Sequence, residues 1–396
     1  MTRKDGASAG TDASPGPALR PSPSPRTTAP DRSCPSHIQP AAGREPGVTQ
    51  LANSGYPVSV LTTFDLDTLI GDTETEILRV IAASEDARTA ELYGWVRYHM
   101  GLDGAAKRGK RLRPLLGLLA YQSIAGEHQR ALPGAAAVEM GHNFSLVHDD
   151  IQDESPERRH RAALWTIIGV PQAINTGDAL FTLSRMALHR LSDLGFSAQK
   201  VLDLMRVYDE TCLALCEGQY LDIRNADRRE WPSVDDYFDM IGRKTAALIA
   251  GSVQAGAMLA TDDAAIVGAY RSFGWALGLA FQLNDDLLGI WGDEAVTGKE
   301  ASDIHERKKT LPLIHALEHG SMTDRRRLCA ILDTTPDAAA VQEATAILER
   351  AGSLEFTRDR ARYHRDEAIA QLEAAGVVDG EAMVRLQAIV ASAIAA

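Results

Sequence analysis

Apolar residues recur at spacings of three and four along most of the chain after residue 65, which is the period of an amphipathic α-helix. No run of alternating apolar and polar residues with hairpin turn signals stands out. The sequence therefore predicts one all-α domain of about ten helices within residues 58–396. The helical pattern covers residues 74–100, 110–126, 130–149, 172–192, 198–225, 233–260, 264–291, 307–319, 338–351, 355–374 and 380–395.

Residues 1–57 have a different composition from the rest of the chain. Ten of the 17 prolines lie there, mixed with Ser, Thr, Ala and Gly. Such a segment buries too little apolar area to offset the entropy of ordering, so we expect a disordered tail. A linker or start-site extension, an organelle transit peptide and a docking tail for a partner remain open interpretations.

The composition, with 45% hydrophobic and 24% charged residues, is ordinary for a soluble globular protein. The net charge of −13 argues against broad nucleic-acid binding, which needs a basic face.

Four cysteines are too few for a disulfide scaffold, and Cys212 and Cys216 have no second Cys or His pair nearby with which to bind zinc. The longest apolar run, 246–260, is interrupted by Ser252 and Gln254, so we expect no transmembrane segment. With no secretory signal, the sequence predicts a cytoplasmic protein.

An acidic motif, His148-Asp149-Asp150-Ile151-Gln152-Asp153, ends one of the apolar helices. Asp149 and Asp153 are four residues apart, so they lie on one helix face about 6 Å apart along the axis. Two carboxylates that close repel each other unless a cation lies between them. Carboxylate oxygens without a thiol or paired histidine suit Mg²⁺, which also binds substrate phosphates.

A second acidic pair, Asp285-Asp286, lies 136 residues later at the end of another apolar helix. Two such pairs could face one another across a cavity and hold a cluster of metal ions. The residue four after Asp285 is Gly289, so this copy lacks the outer carboxylate that Asp153 gives the first motif.

Basic residues stand close to both acidic motifs. Lys110 and Arg113, three apart on one helix face, form a plausible diphosphate clamp, because Arg offers a bidentate fork to phosphate oxygens and Lys a compact charge. The other basic residues near the motifs are Arg158, Arg159, Lys244, Lys299, Lys308 and Lys309. Metal motifs, clustered cations and apolar helices together indicate a ligand with a diphosphate head and an apolar body.

From about residue 65 to residue 396 the chain resembles the trans-isoprenyl diphosphate synthases, most of all the short-chain geranylgeranyl diphosphate synthases. The resemblance implies an all-α, isoprenoid-synthase-type helical bundle around a deep apolar cavity, usually assembled as a homodimer. It also implies the head-to-tail condensation of isopentenyl diphosphate with an allylic diphosphate, supported by Mg²⁺, with three ions expected per active site.

The resemblance assigns roles to individual residues. Asp149, Asp153 and Asp285 match the metal ligands, and these three with Lys244 match the catalytic set. The isopentenyl diphosphate site corresponds to Lys110, Arg113, His142 and Arg159. The allylic diphosphate site corresponds to Arg158, Lys244, Thr245, Gln282, Lys299 and Lys308. The segment Gly218-Gln219-Tyr220-Leu221-Asp222 resembles the family's mid-chain GQxxD element.

Product length is expected to depend on the helix below Asp149. Phe144 lies five residues before Asp149, about 7–8 Å along the axis, and its neighbour Ser145 is small. In this family a bulky residue followed by a small one resembles the C20 (geranylgeranyl) synthases, so we expect a C20 product. A C15 (farnesyl) product is the alternative, as is a floor set by Leu180 or Phe181 on a neighbouring helix.

The chain departs from the family pattern at three places. Gly289 replaces the last Asp of the second motif, for which Asp286, Asp293 or Asp303 could compensate. The segment His160-Arg161-Ala162-Ala163 stands where the family commonly has Gly-Arg-Pro-Thr, and the tail has no counterpart.

Two other functions fit parts of the pattern. A class I terpene cyclase shares the metal motifs but has no use for an isopentenyl diphosphate site, so Lys110, Arg113 and His142 favour elongation. A non-catalytic partner subunit would not need so complete a set of motifs.

Overall fold

The computed structural model of the chain describes residues 63–104, 109–227, 230–292, 302–376 and 380–392. The predicted tail, residues 1–57, lies outside the described residues, as do Lys299 and Asp293.

The prediction of an all-α fold is confirmed, because helices account for 83% of the structure and the described strands are only two residues long. The α-helices are α1 Thr63–Ser84, α2 Ala90–Met100, α3 Leu112–Ala125, α4 Leu132–Gln152, α5 Leu164–His189, α6 Ala198–Asp227, α7 Val234–Ile241, α8 Ala247–Ala260, α9 Ala264–Trp291, α10 Ser302–His305, α11 Leu311–His319, α12 Met322–Leu332, α13 Ala338–Arg350, α14 Ser353–Ala374 and α15 Gly380–Ser392. Short 3₁₀ turns span Gln129–Ala131 and Arg190–Leu194, and one π-helical segment spans Gly242–Ala246.

Helix boundaries differ from the predicted ones at several places. The segment predicted over 74–100 is two helices, α1 and α2, and the one over 233–260 is broken by the π-helical segment. The helix predicted to begin at residue 172 begins at Leu164, with a kink at Gly169. Helix α12 was not predicted, because its sequence is mostly polar and buries only Leu328, Ile331 and Leu332.

Two very short strands were also not predicted. Strands β1 (Glu157–Arg158) and β2 (Arg161–Ala162) pair antiparallel directly after the first acidic motif. Two residues per strand are too few to show a period of two in the sequence.

The helix start predicted at residue 233 is confirmed in detail. The Ser233 side chain accepts a hydrogen bond from the backbone N–H of Asp236 at 3.1 Å, and the Asp236 carboxylate accepts one from the backbone N–H of Ser233 at 3.2 Å. This reciprocal pair satisfies two N–H groups that have no partner inside the helix. It fixes where α7 begins, and therefore where the π-helical segment that follows it lies.

The two motif-bearing helices, α4 and α9, lie in the core. Helix α4 packs along α5, and α9 packs between α8 and α14. Met140 on α4 and Phe273 on α9 are fully buried. Dense packing of this kind holds helices in fixed positions. The acidic residues near their C-terminal ends are therefore held by a rigid scaffold.

One described helix, α9, is long and apolar enough to cross a membrane by length and composition alone. It also carries Asp285 and Asp286, and its residues pack against α8 and α14, as expected of a core helix.

Candidate active site

The first acidic motif lies on the last turn of α4, where Asp153 is the C-terminal cap. Burial raises the pKa of Asp149 to about 6, opposed by the positive charge of Lys244 and reinforced by the negative charge of Asp153. Burial also raises the pKa of Asp153, again against the pull of Lys244. The two carboxylates therefore lie in a site that disfavours their own charge and favours an added cation.

The middle residue of the motif has a different role from its neighbours. Asp150 is almost fully buried and accepts hydrogen bonds from Nε and Nη2 of Arg158, at 2.8 and 2.5 Å. Arg158, which the resemblance placed at the allylic diphosphate, is thus held against the motif by an ion pair. Both nitrogens donate to the same oxygen, Oδ1, whereas Oδ2 is buried without a partner among the described residues. This forked contact orients the guanidinium group and ties β1 to the end of α4.

Lys244 lies in the π-helical segment, between α7 and α8. Its Nζ donates to Oδ2 of Asp222, the last residue of the GQxxD element, at 2.5 Å. Gly218, the first residue of that element, has the backbone of the π segment directly against it, and an added Cβ would stand 2.6 Å from the Lys244 Cα. The element therefore lets α6 approach closely and points Lys244 at the acidic motif. Extra-residue bulges of this type are frequent at functional sites.

The second acidic motif lies near the end of α9. Asp286 is buried and accepts hydrogen bonds from the Tyr237 hydroxyl, from the backbone N–H of Leu311 at 3.0 Å and from Nε2 of Gln282 at 3.2 Å. The Asp285 residue is exposed, but the protein atoms around its carboxyl group remove part of its hydration and raise its pKa, and the positive charge of Lys308 opposes this rise. Of the pair, Asp285 is free to bind a metal, whereas Asp286 anchors the helix.

Two residues predicted for the allylic diphosphate site, Thr245 and Gln282, hold Asp286 in place. The Thr245 hydroxyl donates to Oε1 of Gln282 at 2.9 Å, while the Gln282 amide donates to Asp286. Both side chains therefore link the π segment to α9. Lys308 Nζ lies 3.0 Å from Glu306 and 3.5 Å from Asp303, near the second motif.

A second group of side chains, the cationic pocket, consists of Arg113, His142, Arg159 and Lys110, and Arg159 interacts electrostatically with Asp150 of the first motif. Nη1 of Arg113 donates to Nε2 of His142 at 3.1 Å, and Nη2 of Arg159 lies 3.4 Å from Oδ1 of Asn143. Burial lowers the pKa of His142 well below its ordinary value, and the charges of Arg113 and Arg159 lower it further. His142 is therefore neutral, and the positive charge comes from the two arginines. Lys110 is exposed at the rim.

Two buried nitrogen atoms in this pocket have no hydrogen-bond partner among the described residues. They are Nε of Arg113 and Nη1 of Arg159. Burial lowers the pKa of Arg113 to about 10. The negative charge of Glu139 opposes this decrease, and the positive charge of Arg159 adds to it. Buried donors without a partner are costly, so the pocket suits an anion that accepts from both guanidinium groups.

The structure adds residues that the sequence did not single out. His99 is buried beside Arg158 and Arg159, its Nε2 has no partner among the described residues, and burial with these charges lowers its pKa to about 3. Buried Arg111 donates to Glu139 at 2.7 Å and to the Met100 carbonyl at 2.6 Å. His99 follows an ordinary helical pattern, and no local signal in the sequence distinguishes it from a core residue.

The loop that departs from the family pattern adopts strained backbone conformations. Arg159 and His160 have φ of 54° and 60°, in the left-handed region that favours glycine. His160 is the position where the resemblance expects Gly. The hairpin is held by Arg161, which donates to Asp103 at 2.6 Å and lies over the Tyr98 ring.

The predicted floor residues lie below Asp149 on α4. Phe144 is buried against Phe181 of α5, with ring centroids 4.9 Å apart, and the Ser145 hydroxyl donates to the His142 carbonyl at 2.8 Å. Further down α4, a small apolar gap, about the size of one water molecule, lies between α4, α5, α6 and α8. Its lining includes Val138, which is eleven residues, or roughly 16 Å, below Asp149.

The donor set fits a magnesium ion shared with a substrate. Asp149, Asp153 and Asp285 offer only carboxylate oxygens, the ligands that Mg²⁺ prefers. Within the described ranges, no three His, Cys, Asp or Glu side chains converge into a ready-made metal site. The two motifs therefore suit ions that take their remaining ligands from water and from a diphosphate.

Comparisons with known proteins agree with this geometry. The family model described as polyprenyl synthetase matches residues 98–348. A short chain isoprenyl diphosphate synthase from Methanothermobacter thermautotrophicus is 39% identical over 266 residues, covering 67% of this chain and 80% of the relative. A geranylgeranyl diphosphate synthase from Mycobacterium tuberculosis is 38% identical over 285 residues, covering 69% and 79%.

A solved structure is also similar. The geranylgeranyl pyrophosphate synthase from Corynebacterium glutamicum, complexed with isoprenyl diphosphate and magnesium, superposes with a TM-score of 0.73 at 26% identity. The match covers 83% of this chain and 99% of that one. Both acidic motifs and the cationic pocket fall within the matched family model. The chain is a member of the polyprenyl synthetase family of trans-prenyltransferases.

Proposed function

We propose that this prenyltransferase condenses isopentenyl diphosphate head-to-tail with an allylic diphosphate, giving geranylgeranyl diphosphate as its main product. The observation that carries the proposal is a cationic group with unpartnered Arg113 and Arg159 nitrogens, in which Arg159 is close enough to Asp150 of the first acidic motif for their charges to interact. A cyclase needs the carboxylates alone. A condensing enzyme needs two diphosphate sites, and the chain offers both.

The cationic pocket is suited to hold isopentenyl diphosphate. Arg113 and Arg159 supply fixed guanidinium donors, and neutral His142 accepts from Arg113 and keeps it oriented. Lys110 adds a flexible charge at the rim. Because the pocket is preorganised, the isopentenyl double bond is held in place without further ordering of the protein.

The allylic diphosphate is assigned to the space between the two acidic motifs. Asp149, Asp153 and Asp285 would hold Mg²⁺, with three ions expected, and Lys244 and Lys308 would contact phosphate oxygens directly. When bound, the metal ions neutralise the charge that develops on the departing diphosphate. The apolar walls of the bundle exclude water from the allylic cation until the isopentenyl double bond attacks it. The carbon–oxygen bond to the allylic diphosphate breaks, the new carbon–carbon bond forms, and the proton lost from the isopentenyl unit passes to the departing diphosphate.

The C20 product is assigned from the positions of Phe144 and of the gap further down α4. The Phe144–Phe181 pair lies about 7–8 Å below Asp149 along the axis of α4. The gap near Val138 lies beyond that pair along α4. We therefore infer that the aromatic pair forms the floor and that a smaller residue at position 144 lengthens the space left for the product chain.

The chain is also proposed to form a homodimer. Val170 and Ile174, one turn apart on α5, are each 41% exposed, and Leu213 on α6 is 60% exposed. Apolar side chains of this size on adjacent helices favour burial against a second copy. Light scattering should give a dimer for the wild type and for Met322→Asp, an exposed control on α12. A stable wild-type monomer at micromolar concentration would contradict the proposal, and Val170→Asp/Ile174→Asp should dissociate the dimer.

The metal assignment is tested by substitution. Asp149→Ala or Asp153→Ala should abolish turnover while circular dichroism shows an unchanged helix content. Asp359→Ala, on the exposed face of α14, is the matched control and should be fully active. Normal product formation by either motif variant would show that the metal assignment is wrong.

A further inference from the structure

The second acidic motif has Gly289 in place of its outer acid, and another side chain occupies the space next to Gly289. Gly289 lies one turn after Asp285 on α9. A Cβ built on Gly289 would overlap Oδ2 of Asp303 and would stand only 2.5 Å from its Cγ and 2.9 Å from its Oδ1. The carboxylate of Asp303 therefore occupies the volume in which a side chain of residue 289 would begin.

Asp303 is held in this position by its own segment. It lies in the short helix α10, which packs against α9, and it is 7% exposed. Its carbonyl accepts from the Lys308 backbone N–H at 2.9 Å, and Oδ1 lies 3.5 Å from Lys308 Nζ. A cation proposed to bind phosphate thus stands beside the carboxylate, and the turn after α10 fixes both.

The charge of Asp303 acts at the second motif. Burial raises the pKa of its carboxyl group, Lys308 opposes this rise, and the negative charge of Asp285 adds to it. Like charges held near each other in this way favour a cation between them. Asp286 is not an equivalent candidate, because Tyr237, Gln282 and the Leu311 N–H already occupy its oxygens.

We propose that Asp303 replaces the missing outer acid of the second motif, so that the acidic group reaches the metal site from α10 across Gly289. Gly289 is then required to be small, because any side chain there displaces the Asp303 carboxylate. This inference rests on the proposed function, since it concerns how the second motif binds the metal and diphosphate of the allylic site.

The test is a reciprocal exchange, read out by binding without turnover. Inorganic diphosphate is titrated by calorimetry into each full-length variant at stepwise Mg²⁺ concentrations. Asp303→Asn keeps the shape and removes the charge, and Gly289→Asp places two carboxylates in one volume. Each should raise the Mg²⁺ needed for half-maximal binding by roughly 10- to 100-fold, the usual effect of losing a group that supports a metal site.

The exchanged variant Gly289→Asp/Asp303→Gly should recover binding to within a few-fold of the wild type. The variant Gly289→Asp/Asp303→Ala makes the same exchange of the carboxylate without adding a glycine to α10. If one of the two exchanged variants is unstable, the other still provides the measurement. Gly268→Asp, on the same helix with no atom within 4 Å of its added Cβ, controls for placing an acid on α9 and should bind normally.

Two outcomes would overturn the inference: wild-type binding by Asp303→Asn, or folded exchanged variants that bind no better than the single variants. Asp149→Ala in the same assay separates this failure from a failure of the proposed function. If Asp149→Ala loses binding and Asp303→Asn does not, only the role of Asp303 is wrong. If Asp149→Ala also binds normally, the proposed metal site itself is wrong.

Discussion

Gly218→Ala should impair catalysis strongly while leaving the fold nearly intact. An added Cβ on α6 would overlap the backbone nitrogen of Lys244 and stand 2.6 Å from its Cα and 2.8 Å from the carbonyl carbon of Arg243. These are backbone atoms, so no side-chain rotation relieves the overlap. The π segment must retreat by about 0.8 Å before the added Cβ stands at the ordinary distance of 3.4 Å from the α-carbon of Lys244.

The size of the effect follows from two opposing contributions. Overpacking costs about 1–3 kcal/mol, whereas replacing glycine by alanine inside a helix contributes up to about 1 kcal/mol. The net destabilisation is then about 0–2 kcal/mol, which lowers Tm by only a few degrees. A displacement of about 1 Å in a positioned catalytic group costs about 10²-fold in rate, so kcat/KM for the allylic substrate should fall by about that factor.

The assay is the initial rate of condensation with isopentenyl diphosphate saturating and the allylic diphosphate varied. Gly94→Ala, on α2 with no atom within 4 Å of the added Cβ, is the control and should keep wild-type kinetics. If folded Gly218→Ala retains kcat/KM within a few-fold of the wild type, the role given to the position of Lys244 is wrong.

Three further perturbations give distinct results. Phe144→Ala should lengthen the product chain, as measured by chromatography of the dephosphorylated prenyl alcohols. An unchanged chain length would show that Phe144 does not form the floor. The pKa of Asp149 is raised from 3.8 to about 6, so its charged form is disfavoured in the folded state and stability is lost as pH rises between these values. In metal-free protein at pH 8, Asp149→Asn should therefore increase the free energy of unfolding by at most about 3 kcal/mol and raise Tm accordingly. Near pH 4 the substitution should have no such effect. A chain beginning at Val58 should keep its specific activity and helix content; loss of activity would mean that the tail takes part in catalysis.

Much of the fold was predictable because the signals are local. The apolar period places α3, α4, α6 and α9 within a few residues, and the Ser233 cap marks the start of α7. The π segment was not predictable, because it depends on the approach of α6 at Gly218 and leaves no periodicity of its own. Helix α12 was not predictable either, because its mostly polar sequence becomes a helix through tertiary packing.

The candidate site was predictable to a similar extent. Spacing within one helix pairs Asp149 with Asp153, and the family resemblance brings in Arg113, His142 and Arg159. Spacing could not show that the Asp286 carboxylate accepts hydrogen bonds from Tyr237 and Leu311, since those partners lie 49 and 25 residues away in the sequence. It also left Asp286, Asp293 and Asp303 as equal candidates to replace the missing acid. The close approach of Asp303 to Gly289, fourteen positions away on a different helix, and the hydrogen bonds of Asp286 distinguish these two candidates, whereas Asp293 lies outside the described residues.

Elongation of an allylic diphosphate by isopentenyl units, in a Mg²⁺-dependent reaction, is the activity on which the site assignments depend. The most direct measurement is chromatography of the products that the purified chain forms from isopentenyl diphosphate and each allylic primer, with Mg²⁺ and with a chelator. We expect an all-trans C20 diphosphate with Mg²⁺ and no product with the chelator. A cyclic hydrocarbon, or the absence of any elongated diphosphate in the presence of Mg²⁺, would contradict the proposed activity.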